Sequence, residues 1–124
     1  MLENKDYAMD YVNDFYFEKL DFCGCGIPKD VIIMIKDILN IISTRDTRSY
    51  EEQQELFREC FKLKKDSNDM EYTLLQFILN VLDNADVTEH GSSIGNSYLT
   101  IYGKKLLECL NALTVDEIDD ALSR

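Results

Sequence analysis

Proline appears once and glycine five times in 124 residues. So few chain-breaking residues argue against a many-turned sandwich and favour helices. Basic residues are scarce too: 13 Lys and Arg face 24 Asp and Glu, a formal net charge of −11. Phosphate backbones repel such a chain, which disfavours non-specific binding of DNA or RNA. No apolar run reaches the ~18–20 residues that span a bilayer. The longest, around Val31 to Ile35, is broken by Lys36 and Asp37. Met1-Leu2-Glu3-Asn4-Lys5-Asp6 has neither the basic region nor the apolar core of a secretory signal. The expectation is a cytosolic chain without membrane association, its four cysteines reduced rather than paired. Familiar catalytic signatures are missing: there is no phosphate-cradling loop, no Gly-x-Ser-x-Gly elbow, and only one histidine.

What is present suits one domain over residues 1–124. Hydrophobic residues make up 45% and charged residues 30%, enough apolar surface for a core. Apolar spacings of three and four predict a first helix over Tyr7–Leu20, rich in Tyr11, Phe15 and Tyr16. Tyr7 or Tyr16 on it is a candidate partner contact, since aromatic anchors dominate interfaces. Gly24 and Gly26 end that helix, and Pro28 opens a second, from Lys29 to about Ile42, apolar on most sides and therefore central. Thr44–Arg48 is a polar connector. Ser49 and Glu52 form a capping box for a third helix reaching about Lys64, with Leu56, Phe57, Cys60 and Phe61 inward. A fourth helix, Met70–Asp83, is expected to bury Leu74, Leu75, Phe77, Ile78, Val81 and Leu82. Val87–His90 and Ser97–Ile101 read as two strands around a Gly91–Asn96 turn. Gly103 to about Ala112 is a fifth helix, and Thr114 with Glu117 caps a short sixth. The fold expected is mainly α, five to six helices with one small β-hairpin between the fourth and fifth.

Two motifs carry whatever special chemistry the chain has. Phe22-Cys23-Gly24-Cys25-Gly26 sets two thiols beside two glycines, and Glu89-His90-Gly91-Ser92-Ser93 holds the single histidine. Thiolate and imidazole are the ligands zinc prefers. Cys23, Cys25 and His90 are thus candidate zinc ligands, with Cys60, Cys109, Glu89 or water as a fourth. A closed site would be structural. An open one would allow hydrolysis, with Glu89 as base. The competing reading makes Cys23 and Cys25 fillers of a tight interhelical turn, and has His90 hold the hairpin by hydrogen bonds with help from Ser92 and Ser93. Cys60 and Cys109 lie among apolar neighbours and read as core. No thioredoxin-like pattern surrounds Cys23 and Cys25, which argues against redox work.

Leu99-Thr100-Ile101-Tyr102-Gly103-Lys104-Lys105-Leu106-Leu107 resembles the end of the wing in winged-helix domains. There a Leu-Thr leads from the second wing strand into a helix, and the threonine hydroxyl caps it. The resemblance covers roughly residues 70–110 and puts the fourth helix in the recognition position. A transcription regulator of that shape needs basic charge on this helix and on the wing tip. Met70–Asp83 has no Lys or Arg, and Gly91–Asn96 is uncharged.

The pairing of Phe-Cys-Gly-Cys-Gly-x-Pro with Glu-His-Gly-Ser-Ser and a following Leu-Thr resembles a group of small bacteriophage and prophage proteins. That resemblance implies a phage-encoded accessory protein in a bacterial cytosol, without an activity to transfer. Together with the charge it leads to a non-enzymatic protein that binds a host or phage protein, the acidic surface steering it to a basic target. The same charge is compatible with competition for a nucleic-acid groove, or with solubility alone. A small zinc domain is the second expectation.

Overall fold

The computed structural model describes residues 5–20, 30–44, 47, 49–61, 68–90 and 97–123. Over these it is mainly helical with one two-stranded antiparallel sheet.

Helix α1, Lys5–Asp14, runs on into a π-helical turn, Phe15–Lys19. Leu20 N–H reaches back to Phe15 O at 2.9 Å, the longer ring of that turn. Ala8, Met9, Val12 and Phe15 form its buried face, while Tyr7 and Phe17 stay exposed. Helix α2, Asp30–Ser43, buries Ile32, Ile35, Ile38, Leu39, Ile41 and Ile42 and is the centre of the core. Each such side chain contributes about 1.5–3 kcal/mol on leaving water.

Helix α3, Tyr50–Phe61, opens as its sequence dictates. Glu52 N–H donates to Ser49 Oγ, and Ser49 N–H donates to Glu52 Oε1, both at 3.2 Å. Helix α4 spans Asn68–Asn84, two residues longer at its start than its periodicity suggests. It buries Ile78, Leu79 and Leu82, but Phe77 is 52% exposed. Phe77 lies outside the core because Ile78, Leu79 and Leu82 fill the inward stripe and the side chain at 77 falls beside it.

Strands β1, Thr88–His90, and β2, Ser97–Leu99, pair with Thr88 opposite Leu99 and Glu89 opposite Tyr98. Helix α5, Ile101–Ala112, follows after one residue, and α6, Val115–Leu122, closes the described chain. The returning strand stops at Leu99, short of the Ile101 expected, because Thr100 caps α5. Ile101 is accordingly a first-turn helix residue, 89% exposed. Helix α5 packs against α1, α2 and β2, and α6 packs against α1. No described helix is long and apolar enough to cross a membrane.

The corner from α4 into β1 is a Schellman motif. Val87 N–H bonds Leu82 O at 2.9 Å and Asp86 N–H bonds Asp83 O at 3.0 Å. Asp86 takes the left-handed conformation, φ 63°, where glycine is usual. Val87 and Leu82, both fully buried, make the apolar contact that completes the motif. The corner then meets α5 at Gly103, where an added Cβ would lie 2.0 Å from Val87 O. Two substitutions should therefore move stability in opposite directions. Gly103→Ala should cost about 3 kcal/mol or more, since backbone must shift to admit the methyl group. Asp86→Gly should gain about 1 kcal/mol by relieving the left-handed penalty. Chemical denaturation reads both, with exposed Lys104→Ala expected to be near neutral.

Candidate functional site

The turn after α4 gives the sole histidine its surroundings. Thr88 and His90 are two apart on β1 and share a face of the strand. Both meet Asp83 in the last turn of α4. Thr88 Oγ1 donates to Asp83 Oδ1 at 2.5 Å, and His90 Nδ1 pairs with Asp83 Oδ2. Thr88 is the one buried polar residue among those described, 1% exposed. The Asp83 side chain is 16% exposed and that of His90 39%. Asp83 is thus a sheltered carboxylate with each oxygen engaged, and His90 is its solvent-facing partner.

A carboxylate only accepts, so it selects the histidine form with a proton on Nδ1. In the neutral ring this leaves Nε2 as a lone pair directed away from Asp83. Such a ring can ligate a metal or take up a proton. No described hydroxyl or thiol hydrogen-bonds Nε2, so the pair stands without a nucleophile among the described residues.

The other expected ligands fare differently. Glu89 falls on the opposite face of β1, where it accepts from Tyr98 Oη at 3.2 Å across the hairpin. Cys109 is fully buried in the core, and Cys60 packs against it from α3. Burial pushes both thiols up, Cys60 to about 11 with Asp37 and Glu59 adding to the effect. Raised thiols are poor metal ligands and poor nucleophiles, as the core reading expects. Among the described residues, no three His, Cys, Asp or Glu side chains gather as a metal site. Cys23 and Cys25 lie outside the described residues, as do Ser92 and Ser93.

A second feature is charge. Helix α6 carries Asp116, Glu117, Asp119 and Asp120 and no cation. Glu117 is consumed structurally. It accepts from Thr114 N–H at 2.9 Å in the capping box and from Lys5 Nζ at 2.9 Å. The backbone bond at Thr114 and the Lys5 ammonium hold its carboxyl below the usual range. Asp116, Asp119 and Asp120 are exposed and form no ion pair with a described residue. On the α1–α5 face, Tyr11 stacks on Tyr102 with ring centres 5.5 Å apart, and Lys105 sits 5.2 Å over the half-exposed Tyr7.

Asp83 was the residue that sequence reasoning missed. It lies seven positions from His90, and nothing local marks the two as neighbours without the Asp86 turn.

Two tests follow from these atoms. Asp83→Ala strands the buried Thr88 hydroxyl and should cost about 1–3 kcal/mol. Thr88→Val alone should cost less, and the double variant should show coupling of at least ~0.5 kcal/mol in a denaturation cycle. The raised thiols give a pH signature. A thiol whose folded value lies above its ordinary value near 9 stabilises the fold below that value. That contribution is lost as pH rises from about 9 towards about 11. In Cys23→Ser, Cys25→Ser protein, both remaining thiols should react slowly with iodoacetamide at pH 8 and rapidly after denaturation.

No family model, no curated protein and no solved structure matches the chain. What the site can do is therefore carried by its own residues.

Proposed function

We propose that the chain is a non-enzymatic accessory protein, of phage or prophage type, that acts in the host cytosol by binding a basic host or phage protein. The observation that carries this reading is the distribution of charge on α6. Of its four carboxylates, one is committed to the fold and three are exposed with no cation among the described residues. Within a chain of net charge −11, such a face attracts a basic surface and raises the rate of encounter. The half-exposed Tyr7 and Phe17 supply apolar contact of the kind that anchors interfaces. Capture with the tagged full chain from host lysate should recover one stoichiometric basic protein, released by raised salt. Recovery of no such protein would count against the reading.

A zinc-binding role is the second reading, favoured by the Asp83–His90 pair. Metal-ligating histidines commonly give their other nitrogen to a carboxylate, as His90 gives Nδ1 to Asp83. Cys23 and Cys25 are the thiols that would join Nε2. Elemental analysis of untagged protein should then find about one zinc per chain, lost in both Cys23→Ser and His90→Ala. Metal-free protein would leave the pair as a hairpin clasp. The winged-helix regulator has less support, because α4 from Asn68 to Asn84 has no Lys or Arg to meet phosphate.

A further inference from the structure

Helix α4 differs from the other described helices in what it shows to solvent. Each of the others presents an exposed carboxylate: Asp14 on α1, Asp37 on α2, Glu55 on α3, Glu108 on α5 and Asp119 on α6. On α4, Thr73, Phe77, Asn80 and Asn84 are exposed, at positions i, i+4, i+7 and i+11. They form one outward stripe opposite the buried Ile78, Leu79 and Leu82. Phe77 stands in its middle, 52% exposed. From Thr73 to Leu82 the chain has no charged residue at all. Asp83 lies at the margin of the stripe, and its carboxylate is turned to Thr88 and His90. Lys62, Lys64 and Lys65 precede α4 and lie outside the described residues; the stripe begins a full turn into the helix, at Thr73. Depletion of charge around an exposed aromatic ring is the composition of an interface centre.

We infer that this face of α4 pairs with the same face of a second copy of the chain, two helices packed antiparallel about a two-fold axis. Charge selects this occupant. A basic partner finds no carboxylate to meet here, and a membrane finds one aromatic ring among polar side chains. Contact between two copies through any other described helix would oppose carboxylate to carboxylate, and α4 avoids that. The residues also suit self-pairing. Threonine hydroxyls and asparagine amides each carry donor and acceptor, so a face made of them can satisfy its own copy. Asn40 and Asn111 already pair this way between α2 and α5, with reciprocal amide bonds of 3.1 and 3.0 Å. An axis midway between Ile78 and Leu79 sets Phe77 opposite Asn80 of the second copy and Thr73 opposite its Asn84. Antiparallel packing also brings unlike ends of the two helix dipoles together. Three turns of helix, about 18 Å long, make a contact at the small end of the interface range. The dimer should therefore be weak, with Kd on the order of 10–500 μM.

Sedimentation equilibrium of the full chain, from about 10 μM to about 1 mM, tests the pairing at low and high salt. The mass should double across that range. Salt should tighten the dimer about threefold or more, because it screens repulsion between two chains of net charge −11. That is the opposite of its effect on capture of a basic partner, so the two associations are read separately. Phe77→Glu and Asn80→Lys should each weaken the dimer about tenfold or more. Asn80→Lys makes the chain less negative, so its loss cannot come from long-range repulsion. Asp120→Lys, exposed on α6, should leave the dimer as it is or tighten it. Backbone amide signals that broaden with concentration should fall within residues 73–84. Circular dichroism checks that the variants keep the fold. A chain that stays monomeric throughout overturns the inference. So does a dimer that weakens with salt, or one that survives both Phe77→Glu and Asn80→Lys.

Discussion

Thr100 fastens the two halves of the hairpin corner. Its backbone N–H donates to Val87 O at 3.1 Å. Its hydroxyl accepts from Gly103 N–H at 2.9 Å, and the single hydroxyl proton reaches Asp86 O at 2.5 Å, with Val87 O at 3.1 Å. One side chain therefore caps α5 and satisfies the end of the α4 turn. The cap is worth about 1 kcal/mol by itself. Its larger effect is positional, because it sets α5 close enough to Val87 that only glycine fits at position 103. Helix α5 in turn packs against α1 and α2, and α1 against α6. The seat of α5 against α1 and α2 traces back to this corner.

The same corner aims the polar groups. With the Schellman turn made, β1 leaves α4 at an angle that returns Thr88 and His90 to Asp83. The carboxylate serves the fold through Thr88 and the histidine through Nδ1. A partly sheltered ion of this kind is retained where both of its oxygens are satisfied. On α6 the division runs between residues instead: Glu117 holds the helix and Lys5, while its neighbours keep their charge for the solvent.

Much of this was written locally in the chain. The capping boxes at Ser49 and Thr114 bind atom for atom as their spacing implies, because each uses side chains only three residues apart. Thr100 was readable for the same reason. The all-round apolar character of α2 marked it as central. The misplaced residues depend on tertiary choices. Phe77 and Leu79 exchange places because a helix with apolar residues on several sides does not say which stripe a neighbour will cover. The Asp83–His90 pair was hidden because the turn joining them uses aspartate where glycine would have announced it. Glu89 and His90 read as one site in sequence, but successive residues of a strand face opposite ways. The pair of thiols at Cys23 and Cys25 falls outside the described residues.

Helices α1 and α6 lie against one another, joined by Lys5 to Glu117 and by Asn13 Nδ2 to Ala121 O at 2.8 Å. These partners are separated by 112 and 108 positions along the chain. During synthesis α1 emerges well before α6. For most of translation the buried face of Ala8, Met9, Val12 and Phe15 has no α6 to cover it. Until α6 has been made, that face is open to other apolar surface, which is the exposure that leads to misassembly.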